Sequence, residues 1–390
     1  MKKKNKTLTY LLLAGILIRL AIVYFQYSGD VGNHIVWGKG FLEGPLGFFS
    51  RKFPGFNDAN YPPVTIYLFG LSAWLYQVAS QLVLFLNKTI RIFPSNLVHL
   101  MPTLNMQSAF MKLPSMFADL GIGWLIYQLA PTKKKSVKLI LASLFIFNPA
   151  VIYISTVWGQ IESLPIFFIL LSFYFLSLFE KKPKTKINPD TWYYLSHLSF
   201  LVAALSKQTA LWVLPLMLIV WFKKTTIVKF IKGLLVQLVA FVLLYLPFTL
   251  SLIEPFKIYL QTLSGSTTLA AEGVWNIWYF LLPLGAQDSI LFLGLSIRLW
   301  SILSLAAVYL FICLKLFLNF KKEDIYSSLF ILSLAAFFIQ TRVHEKHLFP
   351  ALAFLLLVGS PKKINKYIFF IALSVFHMLN LYQSLGLPFI

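Results

Sequence analysis

Charge is what this 390-residue chain has least of: Asp, Glu, Lys and Arg make up 12% of it, against roughly one-quarter in a soluble domain, while 58% is hydrophobic and 17% aromatic. That balance excludes a fold in water. Cysteine is almost absent. Cys313 stands alone inside an apolar run, so no intramolecular disulfide can form. No Cys/His cluster has metal-ligand spacing, so neither redox chemistry nor a zinc site is supported and no metal is expected. No stretch is long and polar enough for a separate soluble domain, and no internal repeat is evident. Residues 1–390 are expected to be one membrane-embedded unit.

Acids are the scarcer charge: 13 Asp plus Glu face 34 Lys plus Arg, for a net charge of +21. Such an excess suits a nucleic-acid binder, but the bases sit in short runs between apolar stretches. Their expected partner is the anionic cytoplasmic leaflet, not nucleic acid. Apolar runs of about 17 to 25 residues recur from end to end, the length of membrane-crossing helices; a barrel would alternate at period two. The pattern predicts an all-α, polytopic bundle of about eleven spans. The first stretch, from about Leu8 to Tyr27, follows Lys2, Lys3, Lys4 and Lys6 and lacks a small-residue cleavage site, so it reads as a retained span with a cytoplasmic N-terminus.

Basic clusters mark one face: Lys133 to Lys138, Lys181 to Lys186, Lys223 to Lys232, Lys315 to Lys322, and Lys362 to Lys366. With the N-terminal lysines they hold 22 of the 34 basic residues, and the positive-inside rule makes them cytoplasmic. The turns between them then lie on the far side. If Val64 to Leu86 crossed, the Lys133 cluster would fall outside. That stretch starts at Tyr61-Pro62-Pro63 and carries Gln77 and Gln81, so residues 28–111 are expected to form one long extracytoplasmic loop with interfacial helices.

Several of the few carboxylates fall at far-side span ends: Asp30, Glu162 and Glu345, with Asp119 inside the second span. Such acids are costly near hydrocarbon, and each reads either as a site or as a structural ion pair. Asp30, in Ser28-Gly29-Asp30-Val31-Gly32-Asn33-His34, is a candidate general base; the bland alternative is a cap on the following helix. Lys112 and Asp119, seven residues apart, share a helical face and could look into one cavity, with Arg19 as a partner for Asp119. A packing pair would look the same. Arg342 to His347 gathers Arg342, His344, Lys346 and His347 around Glu345, a density suited to an anion such as phosphate. The alternative is snorkelling at a span end.

These residues resemble the GT-C membrane glycosyltransferases, in particular the dolichyl-phosphate-glucose-dependent glucosyltransferases and bacterial proteins like the second GPI mannosyltransferase. The similarity is a series of short motifs in order along most of the chain: Gly29-Asp30 with Trp37, Asn60-Tyr61-Pro62-Pro63, Met111-Lys112 with Asp119, Asn148-Pro149 followed by Gly159-Gln160, Lys207-Gln208, and Val343-His344-Glu345-Lys346. The resemblance implies an inverting transfer of mannose or glucose from a polyprenyl-phosphate donor to an acceptor hydroxyl on a glycan, glycolipid or protein, with no obligatory cofactor. Asp30 would be the base. Arg342, His344, Lys346 and Lys207 would hold the donor phosphate, with His34, Asp58, Tyr61, Lys112, Asp119, Gln160, Glu162, Gln208 and Glu345 supporting. Two acids of the eukaryotic pattern are replaced here, by Gly32 and Asn60, with Asp58 nearby. The short loops and Lys112 in place of Arg look like the bacterial branch, implying a plasma-membrane enzyme with an extracytoplasmic site. A secondary transporter or flippase for lipid-linked sugars is the reading from another class.

Overall fold

A computed structural model describes residues 6–183, 186–263, 267–359 and 363–386. The expected cytoplasmic lysines Lys2, Lys3, Lys4, Lys184 and Lys362 lie outside the described residues. The described chain is all-α apart from one hairpin, Leu291–Phe292 with Leu295–Ser296.

The first half contains α1 (Lys6–Ile22), α2 (Gly29–Glu43), α3 (Pro63–Thr89), α4 (Asn96–Leu100), α5 (Leu104–Leu129), α6 (Lys135–Ile146), α7 (Pro149–Ile152) and α8 (Ser163–Lys181). Then follow α9 (Pro189–Ser206), α10 (Leu214–Lys224), α11 (Ile227–Tyr245), α12 (Glu254–Thr262), α13 (Ile277–Leu281), α14 (Ile297–Leu318), α15 (Lys322–Ile339), α16 (Phe349–Leu357) and α17 (Lys363–Ser384). A π segment, Tyr153–Trp158, continues α7, and 3-10 segments at Gln208–Val213 and Glu345–Leu348 precede α10 and α16.

Among the described residues, six helices are long and apolar enough to cross a membrane, or seven if α6 and Pro149–Trp158, bent by 46°, count as one span. Sequence reading expected about eleven. Length and composition do not confirm eleven, for a physical reason: several apolar runs are not single long helices. Backbone irregularity splits the run before α10 at Gln208–Val213 and the run before α16 at Glu345–Leu348, while α1 is only 17 residues long.

The expected interfacial stretch Val64 to Leu86 forms one 27-residue helix, α3, which is itself among the six by length and composition. Its hydrogen bonds nonetheless run across the ends of its neighbours. Thr65 donates to the carbonyl of Ser206 where α9 ends (2.6 Å), Tyr67 to Leu244 where α11 ends (2.8 Å), and Tyr76 to Met101 just before α5 (2.8 Å). The first half of α3 therefore lies over the same end of the bundle at which α9 and α11 finish and α5 begins.

Local sequence explains how α2 reaches this end. Ser28 caps α2 by accepting from the Val31 amide at 3.3 Å, and its hydroxyl donates to the Trp158 carbonyl at 2.7 Å. Gly159 closes the π segment at φ +84°, and a Cβ there would meet Val31 at 2.3 Å. Only glycine fits, and the turn it allows carries Trp158 and Gln160 against α2.

Candidate active site

Asp30, in the first turn of α2, is held by two elements. The Trp158 indole donates to its Oδ2 at 3.1 Å, the Gln160 amide donates to the same oxygen, and the Lys346 ammonium stands 3.8 Å from it. All three partners use Oδ2, and Oδ1 has none among the described residues. The carboxylate is 42% exposed and lines an open cavity of about 660 Å³ with Tyr27, Asn33 and Asn57. Burial disfavours its charge, but Lys346 and the Trp158 and Gln160 hydrogen bonds outweigh this and hold its pKa below the usual carboxylate value. Asp30 is an ionised group with a free oxygen.

Lys346 belongs to the Arg342 to His347 run, so residues more than 300 positions apart in sequence meet here; its ammonium also lies over the Trp158 ring, 5.5 Å from the centroid. A second cavity, about 430 Å³, is lined by Tyr61, Lys207, Gln208, Arg298, Arg342, His344 and His347 among others. Burial and the neighbouring charges of Lys346 and Lys207 push His344 down to about 4, leaving it neutral near pH 7. His34, one turn after Asp30 and stacked on Phe69 at 4.3 Å, is pushed by burial down to about 3. Neither imidazole is a ready base at neutral pH.

The site's cations are mostly matched. Lys207 pairs with Glu162, Arg342 grips Asp288 with two donors at 2.6 and 3.0 Å, and Lys346 approaches Asp30. Arg342 does so from a left-handed backbone, φ 61°, which a bulky residue adopts only when its surroundings hold it. Arg298 lines the same cavity with no side-chain partner among the described residues. Buried polar atoms without a partner among the described residues include His34 Nδ1, Gln160 Oε1 and Glu162 Oε2, and Gln340 Oε1, whose residue lines the second cavity.

The sequence-derived candidates divide clearly. Asp30, Gln160 and Lys346 come together, and so do Tyr61, Lys207, Gln208, Arg342 and His344; Gln208 ties the wall by donating to Asn60 (2.8 Å) and Thr262 (2.6 Å). Glu162 stands beneath them through Lys207, and Glu345, 4% exposed, is bonded by Ser384. Lys112 and Asp119, expected to look into one cavity, are both fully buried among other partners. Asp119 is fully buried, paired with Arg19 at 3.0 Å and bonded by Ser155 and Ser163, while Lys112 donates to the Gln26 carbonyl at 2.6 Å beyond the end of α1. Both face packed helices and exposed carbonyls, because a shared helical face says nothing about what it meets. Asp58 is likewise apart, paired at the surface with Lys52 at 2.5 Å.

Sequence reasoning missed Arg298, Asp288 and the role of the Trp158 indole. Asp288 had a faint signal as one of three acids in the long turn before α14; Arg298 had none. Asp119 accounts for one intramembrane acid structurally, and among the described residues no group of three or more His, Cys, Asp or Glu is arranged to hold a metal.

A scan against known protein families finds no match to this chain, and a search of characterised proteins finds none either.

Proposed function

We propose that this protein is an inverting membrane glycosyltransferase of the GT-C type, moving a hexose, mannose or glucose, from a polyprenyl-phosphate donor to an acceptor hydroxyl. The observation that carries the reading is the pairing of an ionised Asp30, its Oδ1 free, with a cationic wall that begins 3.8 Å away at Lys346. One side can take a proton and the other can receive a phosphate.

In the reaction so assigned, the acceptor oxygen attacks the anomeric carbon from the face opposite the phosphate. Asp30 Oδ1 takes the hydroxyl proton as the new glycosidic bond forms. The bond between the anomeric carbon and the phosphate oxygen breaks, and polyprenyl phosphate leaves with the electron pair. Its growing charge falls to Arg298, Lys207, Arg342, Lys346 and His344, the last as a neutral hydrogen-bonding group. Arg298 needs no carboxylate displaced before it binds, so it is the first contact we assign to the phosphate. Trp158 and Gln160 fix the base, and the chemistry calls for no cofactor.

The membrane arrangement in this reading has eleven crossings: α1, α5, the bent α6–α7, α8, α9, the Gln208–Val213 turn with α10, α11, α14, α15, the Glu345–Leu348 turn with α16, and α17. In it α2 and the first half of α3 lie in the extracytoplasmic interface. The basic clusters then face the cytoplasm of a bacterium and the site opens outward, towards a glycan, glycolipid or protein acceptor.

The test is transfer by the purified protein in liposomes, given radiolabelled polyprenyl-phosphate-mannose or polyprenyl-phosphate-glucose and a mixed lipid extract. New labelled product with the wild type, absent with Asp30→Asn, is the expected result. Movement of lipid-linked sugar across the bilayer without new glycosidic bonds would replace this reading with a flippase.

A further inference from the structure

We propose that the end of α8 remote from Asp30 carries a binding site for the phosphate group of an anionic membrane lipid. The helix starts beside Glu162 and runs 19 residues to Lys181, roughly 28 Å at 1.5 Å per residue, close to the thickness of a bilayer's hydrocarbon core. A cavity of about 550 Å³ opens at this far end, lined by Lys133, Lys138, Lys181, Lys224 and Lys322 around one carboxylate, Glu180. The lysines come from the turn before α6, from α6 itself, and from α8, α10 and α15, so the cluster is assembled by the fold and is not one basic run.

Glu180 is already engaged by Lys224 and Lys322 together. Lys133, Lys138 and Lys181 have no carboxylate partner among the described residues; Lys138 only lies over the Tyr127 ring, 5.6 Å from its centroid. Ammonium groups gathered about one concave surface repel one another unless an anion enters. Leu129, Phe173, Leu176 and Ile325 give the cavity an apolar wall, beside the polar Gln128, Thr132, Ser177 and Tyr326. A cationic rim on an apolar wall at one end of a span suits an amphiphile, its phosphate among the lysines and its glycerol and upper acyl chain against the wall. A free phosphate would use the rim alone, which is why the lipid is the favoured source.

The experiment uses the full chain in detergent, titrated with phosphatidylglycerol or phosphatidylcholine and read by native mass spectrometry, with and without millimolar inorganic phosphate. The wild type is expected to retain phosphatidylglycerol over phosphatidylcholine. A lysine near a membrane surface contributes about fivefold in affinity, so Lys133→Gln/Lys138→Gln/Lys181→Gln should lose on the order of a hundredfold and Lys138→Gln alone about fivefold. The single variant keeps the test alive if the triple fails to fold. Lys315→Gln/Lys321→Gln, outside the cavity, serves as the control for general charge loss. Equal weakening in the control, or none in the cavity variants, overturns the site. Competition by inorganic phosphate with no preference between the two lipids overturns the lipid and leaves a soluble phosphate ligand.

Discussion

Asp119→Asn should destabilise the protein without touching its chemistry, and the size of the effect follows from what surrounds the carboxylate. Arg19 gives Asp119 two donors, Nε at 3.2 Å and Nη2 at 3.0 Å, both side chains are fully buried, and Ser155 adds a hydroxyl at 2.6 Å. With the charge gone, the guanidinium keeps the Gly15 and Ile146 carbonyls at 3.2 and 3.0 Å but has no counter-ion. Stranding one member of a buried ion pair typically costs about 3–5 kcal/mol. Removing both charges by Arg19→Met/Asp119→Leu leaves no unpaired charge, only the Ser163 hydroxyl and the Ile146 carbonyl short of a partner, so most of the loss should return. Cys313, half-buried and the only cysteine, provides the assay: a thiol-reactive fluorophore reports unfolding from one known site as detergent-solubilised protein is heated. The expected order is wild type, then the double variant, then Asp119→Asn, with turnover per folded molecule little changed. A double variant as unstable as the single one, or a single variant that unfolds like the wild type and has lost turnover, would refute the structural role.

Gly159→Ala forces a Cβ to within 2.3 Å of Val31 at φ +84° and should displace Trp158 and Gln160 from Asp30, lowering transfer at least about tenfold while far-ultraviolet circular dichroism stays unchanged. Arg298→Gln should weaken donor use by roughly ten- to hundredfold, the worth of a hydrogen bond to a charged group, mainly through KM in steady-state assays. The base is the ionised Asp30, whose pKa lies below the ordinary 3.8, so transfer should hold as pH falls from 7 to about 4 and fail as Asp30 protonates below that. A profile with a limb near 6.5, the ordinary imidazole value, would mean that a histidine and not Asp30 sets the rate.

Much of the architecture was legible because one rule governs it: apolar runs of bilayer length, broken by lysines, must become helices. The number of spans was less legible, since hydropathy does not show where an apolar run begins with a 3-10 turn in place of regular helix, as at Gln208–Val213 and Glu345–Leu348. Asp30, Lys207 and the Arg342 to His347 run stood out because charge at a span end is costly. Their grouping into two cavities did not, because nothing local brings Lys346 to Asp30. Lys112 and Asp119 show the converse: periodicity correctly put them on one face, and tertiary packing gave that face to Arg19 and to the carbonyls beyond α1. Arg298, a lone base in the first turn of α14, carried no pattern, and Asp288, in the long turn before it, only a faint one.

The central claim is that Asp30 is the base of a sugar transfer, and transfer of label from polyprenyl-phosphate-hexose by wild type beside Asp30→Asn tests it most directly. The account requires a new glycosidic product from the wild type and at least about a hundredfold less from a folded Asp30→Asn; equal product from both would contradict it.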